Sequence, residues 1–207
     1  ETRKKSGKDS EQPKAYHNEE HVIRVVEAVE KIGREEELTD KEIAMLKIAA
    51  GWHDVETGMG PGVSEDESAR LCQKEMTDRG FGELETQIVG DLIRATKNVI
   101  IDGVIKQEIG DLEETSGMYG LGLMKRVMAD ADLSGVGEEW EKFRQSSLAL
   151  GEEAHLVERV REKMSEKKWQ LFWEWQYGFL DGFLNKRGGF YTDGAKRIYP
   201  NLEDNLK

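Results

Sequence analysis

From residue 16 onward, apolar positions recur at a spacing of three and four residues, and three prolines in 207 residues leave the pattern largely unbroken. His21, Val25, Ala28 and Ile32 fall on one face of a first predicted helix. Thr39 with Glu42 forms a capping box that opens a second, with Ile43, Leu46, Ala50 and His53 as its buried stripe. Ser64 with Glu67 predicts another capping box, and the third helix runs from it through Leu71 and Met76 to a stop at Gly80. Leu84, Ile88, Asp91, Leu92 and Ala95 outline a fourth.

The stretch "VIIDGVI" breaks this rhythm: β-branched residues flank Asp102-Gly103, which predicts a hairpin with a two-residue turn. A glycine-dotted connection follows to about Gly122, and such a segment reads either as a lid or binding loop or as a surface excursion. A fifth helix carries "LMKRVMADADLSGVG". The segment "EEAHLVERVREKMSEKKWQLFWEWQYGFLDGFLNKRG" predicts one long helix or two, closing at Gly188-Gly189. Within it Trp169, Phe172, Trp173, Leu180 and Phe183 have core spacing, leaving Trp175 and Tyr177 for the rim or for a homodimer contact. The expectation is an all-α bundle, with a short hairpin or lid insertion around 98–120. Its domain limits are a flexible lead-in over 1–15 and one helical domain over 16–207.

Composition narrows the partners. A formal net charge of -12 argues against a nucleic-acid polymer, while leaving room for a small phosphorylated ligand beside a local cation. The single cysteine, Cys72, excludes an internal disulfide framework and fits a reducing, cytoplasmic setting. No apolar run approaches a membrane span. The chain opens at Glu1 rather than Met, as a processed or trimmed product would.

The chemistry concentrates in four groups: "YHNEEH" at 16–21, "HD" at 53–54, "SEDESA" at 64–69 and "DADLS" at 130–134. His21 lies near the start of one buried face and His53 near the end of another, so antiparallel packing would bring their imidazoles together. Asp54 can reach the same point if the helix end turns around it, and an acid from the fifth helix would complete a mixed nitrogen and oxygen set. Such a set suits a divalent ion, Mn, Fe, Co, Ni, Zn or Mg, with positions left open for water and substrate. Each group also has a plain structural reading, as a capping or core residue.

Together, "HVIRV", "AAGWHD" and "ADLSGVG" resemble the H…HD…D signature of the HD-domain metal-dependent phosphohydrolases. The likeness is closer to a subgroup with YHN-x-x-H, HD, NE-x-x-SA and DADLS elements. It covers about residues 16–137, with a fainter echo in "FYTDGAKRIYPNLEDN". The resemblance implies His21, His53, Asp54 and one Asp of the DAD element as metal ligands. Asp132 is favoured over Asp130 because Leu133 follows it. It gives Glu65 and His17 as residues that manage protons or hold the phosphate beside the Asp54 carboxylate, and a metal-activated water as nucleophile. For His17, one turn before His21, the alternative is a helix-cap histidine; for Glu65 it is a first-turn acid favoured by the helix dipole. Ser68 and Ala69 read as close-packing residues, Arg24 and Lys125 as phosphate-neutralising or solvated cations. The sequence departs from the family where "LIRATKNVI" offers Lys97 and Asn98 in place of a histidine, which bears on the substrate side of the site. The expected substrate is a small phosphoester, a nucleotide among the candidates. Two other functions remain open: a diiron oxygenase of the same fold, for which His17 and His155 are the only spare histidines, and a metal-holding module without turnover.

Overall fold

The computed structural model describes residues 14–59, 62–101, 104–107, 109, 120–158 and 163–207. Asp102-Gly103, most of the lead-in over 1–15 and most of the connection between the hairpin and Gly122 therefore lie outside the described residues. The fold is all-α with one short antiparallel hairpin.

Helix α1 (Glu19–Glu35) starts at Asn18, whose side chain accepts from the Glu20 and His21 amides, with Glu19 and Glu20 favourably placed in the first turn. Its stripe of His21, Val25, Ala28 and Ile32 is buried as the periodicity requires. The chain turns over Glu37 at φ 57° and enters α2 (Asp40–Trp52) through the expected Thr39–Glu42 capping box. A connection this short forces α1 and α2 antiparallel, and Gly33 lets them close: a Cβ there would stand 3.1 Å from Ile43 Cγ1. Antiparallel packing sets the first turn of α1, with His21, beside the C-terminal end of α2, where His53 is the cap.

Helix α3 (Val63–Asp78) corrects one expectation. It begins one residue before Ser64, after Gly62 at φ 77°, and no side chain caps it. Ser64 Oγ instead accepts from the Met59 amide, bracing the loop that precedes the helix. The stop at Gly80 holds, with the Phe81 amide reaching back to the Met76 carbonyl. In α4 (Glu83–Arg94), Ile88 and Leu92 are buried, and Ala95 beyond its end is too. Leu84, by contrast, is 44 % exposed in the first turn. Strands β1 (Asn98–Ile101) and β2 (Val104–Gln107) pair in the register Asn98–Gln107 to Ile101–Val104.

Helix α5 (Leu121–Asp132) runs through the interior, burying Met124, Val127, Met128, Ala129, Asp130 and Ala131, and tightens into a 3-10 turn over Ser134–Gly137. The next helix was not anticipated. α6 (Trp140–Glu153) ends where an amphipathic helix through "EEAHLVERV" was expected. His155 adopts φ 59°, and the Leu156 and Val157 amides both return to the Gly151 carbonyl. The helix ends in that turn, and Val157 folds back into a small cluster with Leu148, Met164 and Phe172, packed so closely on Gly151 that a Cβ there would stand 2.5 Å from the Phe172 ring. Ser165 then caps α7 (Glu166–Asp181), which buries Phe172 and Leu180 and closes in a π turn over Gly182–Lys186 that buries Phe183. Trp169 and Trp173 are half-buried against the cluster; Trp175 and Tyr177 are exposed, as their spacing suggests. Helices α8 (Asp193–Ile198) and α9 (Leu202–Asn205) bring Ala195 and Leu202 onto the main core. Among the described residues, no helix is long and apolar enough to cross a membrane.

Candidate metal centre

The rings of His21 and His53 meet, and Asp54 and Asp132 each stand beside both. The two Nε2 atoms are 3.2 Å apart. Asp54 Oδ2 lies 3.2 Å from His21 Nε2 and 3.0 Å from His53 Nε2. Asp132 Oδ1 lies 3.5 and 3.4 Å from the same two nitrogens. His21, His53 and Asp132 offer three ligand atoms that all lie within 4.8 Å of one another; Asp54 is not part of that group, and stands beside the two rings.

These spacings match a coordination shell. With ligand bonds of about 2.1 Å, neighbouring donors sit about 3.0 Å apart in an octahedron and about 3.4 Å apart in a tetrahedron. Asp54 Oδ2 is buried yet makes no well-aligned hydrogen bond, although two ring nitrogens stand beside it. A buried carboxylate oxygen in that state is costly unless a cation satisfies it. The donor set, two imidazoles and two carboxylates, suits a divalent ion of intermediate softness.

The surroundings orient these side chains. His53 Nδ1 donates to the Ala50 carbonyl at 2.8 Å, which leaves its Nε2 lone pair facing the cluster. Ser68 Oγ accepts from the Glu56 amide at 3.0 Å and so pins the turn that carries Asp54; the residue does more than permit close packing, the role its neighbour Ala69 fills in the core. From β2, the buried Gln107 Nε2 donates to Asp132 Oδ2 at 3.4 Å. The Tyr16 ring covers His21 at 4.7 Å, and burial pushes its hydroxyl up to about 12. Burial works against charge on His53, but the carboxylates of Asp132 and Asp54 outweigh it and raise its pKa well above the ordinary value. Burial likewise works against ionised carboxylates here, yet both imidazoles hold Asp54 far below the usual range and Asp132 at about 2.

The two acids of the DAD element part ways because residues two apart on a helix face nearly opposite sides. Asp132 joins the histidines. Asp130 is fully buried on the other side, accepting from the Tyr191 amide, the Thr192 amide and the Thr192 hydroxyl, with Arg187 at 3.5 Å. Burial pushes its carboxyl up to about 6 against those donors.

His17 is not on a helix. It sits in the bend before α1, and the cap is Asn18. Its Nδ1 meets Glu153 Oε1 at 2.6 Å, while the Tyr16 and His17 amides donate to Glu153 Oε2. Its ring stands edge-on to His21 at 5.7 Å, so it borders the cluster with Nε2 free of any partner among the described residues. Glu65 Oε2 is buried without a hydrogen-bond partner, and no described contact joins Glu65 to the cluster. Arg24 is far from a solvated cation: it reaches His21 Nδ1 at 2.9 Å and Ser146 Oγ at 3.2 Å. Lys97 is tied to Asp66 at 2.8 Å, and Asn98 begins β1.

Tyr16, Gln107 and Glu153 were not singled out from sequence. Tyr16 lies within YHNEEH, whereas Gln107 and Glu153 reach the site through the hairpin register and through α6, neither of which leaves a local mark. No protein-family model matches the chain, and no curated protein matches it significantly.

Proposed function

We propose that this chain is a metal-dependent phosphohydrolase of the HD-domain type, acting on a small phosphoester. The observation that carries the reading is a pair of imidazole nitrogens 3.2 Å apart with one oxygen of Asp54 and one of Asp132 each 3.0–3.5 Å from both, the Asp54 oxygen buried without an aligned hydrogen bond. A divalent ion held there would lower the pKa of a water toward neutrality and polarise a phosphoryl oxygen.

The chain's own residues supply the rest. The Ala50 carbonyl holds His53 in the tautomer that leaves Nε2 as a ligand atom. Gln107 occupies Asp132 Oδ2 and leaves Oδ1 for the centre. Tyr16 excludes water from the His21 side. His17, anchored at Nδ1 by the Glu153 carboxylate, can hold or deliver a proton at Nε2, the arrangement a general acid or base needs. Glu65 is a second candidate for proton transfer, on its buried and unpartnered oxygen alone. A diiron oxygenase would need more nitrogen ligands than the cluster offers. His17 has one ring nitrogen engaged by Glu153, and His155 occupies a turn. A cytoplasmic setting goes with this reading, on the single, buried thiol of Cys72.

The test is a phosphatase screen over nucleotides and sugar phosphates with Mn, Co, Ni or Mg, with Asp54→Ala as control. Turnover of at least one phosphoester, lost in the variant, is expected. No hydrolysis with any of these metals, together with oxygen consumption after ferrous loading, would overturn the reading.

A further inference from the structure

Arg24 lies behind His21 and has an unusual set of partners. Its Nη2 donates to His21 Nδ1, its Nη1 donates to Ser146 Oγ at 3.2 Å, and its guanidinium stands 5.5 Å from the Tyr16 ring centre. None of the three is a carboxylate. Among the described residues no carboxylate pairs with Arg24, and its Nε is buried without a hydrogen-bond partner. The side chain lines a cleft of about 470 Å³ between α1 and α6. Lys31 and Lys142 also line it, each already paired, with Glu27 and Glu138 respectively. Glu20 lines the cleft as well, and Arg24 is the one of its three cations that no carboxylate among the described residues pairs directly.

The contact with His21 has a second consequence. A guanidinium only donates, so the Nδ1 it meets must be an acceptor, and a neutral His21 then carries its proton on Nε2. That proton is accommodated by His53 Nε2 at 3.2 Å, while His53 Nδ1 donates to Ala50. The chain from Arg24 through His21 and His53 to Ala50 is self-consistent only with Nε2 of His21 protonated. Ligation through Nε2 demands the opposite tautomer, with hydrogen on Nδ1, and Arg24 cannot then stay where it is. His53 needs no such change.

We propose that Arg24 is an anion-binding residue of this cleft that couples it to the metal centre: loading the centre displaces the guanidinium from His21, and the displaced guanidinium takes a phosphate-type oxyanion. Metal and oxyanion therefore bind cooperatively, each raising the other's affinity by the same factor. This rests on the metal-site reading above. The oxyanion is either free phosphate or the phosphoryl group of an organic ester, which share the bidentate chemistry a guanidinium recognises.

The experiment is calorimetric titration of Mn(II) into the full chain, with and without inorganic phosphate, and separately with glycerol phosphate. Wild-type protein should bind Mn(II) at least about fivefold more tightly when phosphate is present. Whichever of the two anions gives the larger effect identifies the source. Arg24→Gln offers a carbonyl that can accept from His21 Nδ1–H; without phosphate it should bind Mn(II) about tenfold more tightly than wild type, and phosphate should add nothing. A wild-type Mn(II) affinity indifferent to both anions would overturn the proposal. So would full coupling retained in Arg24→Gln, which would put the anion on the metal itself. Absence of Mn(II) binding in wild type and Arg24→Gln alike would instead overturn the metal centre.

Discussion

Replacing Asp130 with alanine removes the carboxylate that the Tyr191 amide, the Thr192 amide and the Thr192 hydroxyl share. Each buried donor left without an acceptor costs about 1–3 kcal/mol. The Arg187 side chain, 2 % exposed and stacked between Phe183 and Tyr191, would lose the carboxylate facing it at 3.5 Å. Breaking a buried ion pair from one side costs about 3–5 kcal/mol. These terms overlap, since one water entering the vacated space can serve several donors, so the expected total is about 4–5 kcal/mol. Asp130→Asn keeps the shape and one acceptor oxygen and should cost about half as much. Thr192 also caps α8 by accepting from the Ala195 amide, so the damage should spread to the C-terminal segment. Urea unfolding of the metal-free protein, followed by far-ultraviolet circular dichroism, measures the loss without linkage from bound metal. A loss under about 1 kcal/mol in the alanine variant would refute the structural assignment of Asp130. Unchanged stability with abolished metal binding would show that the roles of Asp130 and Asp132 are exchanged.

Gln107→Ala frees Asp132 Oδ2 and should weaken Mn(II) binding by about tenfold with little change in unfolding midpoint; equal affinity would show that the hairpin does not orient the ligand. Metal affinity should rise with pH through the raised pKa of His53, because ligation requires the neutral ring. The sign for stability is opposite. A histidine whose folded pKa is raised contributes stability that is fully present below its unfolded value of about 6.5 and lost as pH rises through the folded pKa. The metal-free protein should therefore weaken on the alkaline side, where the metal-loaded one gains; titrations and melts across that range check both, and parallel trends would contradict them.

The helical frame was legible wherever side-chain periodicity and capping chemistry agree. The stripe from His21 to Ile32 and the Thr39–Glu42 box mark α1 and α2, whose short connection compels the antiparallel packing that joins His21 to His53. The division between Asp130 and Asp132 follows from helical geometry, although which of them faces the histidines needed the resemblance. Capping by composition alone misled at Ser64, because the left-handed Gly62 starts α3 earlier. The break at His155 was hidden because a residue other than glycine takes the left-handed position. The close packing of Gly151 on Phe172 and Val157 beside that break is long-range and leaves no local signature. Gln107 was hidden likewise: strand register and tertiary docking, not the residue's own neighbours, carry it to Asp132.

The most direct measurement is the metal content of protein purified without chelator and reloaded with Mn(II), compared for wild type, Asp54→Ala and Asp132→Ala. Wild type should hold about one ion per chain, and each variant, losing one ligand of a compact set, should retain almost none while keeping its helical spectrum. A stoichiometric ion held by Asp54→Ala, or a wild type that takes up no divalent metal, would contradict the account.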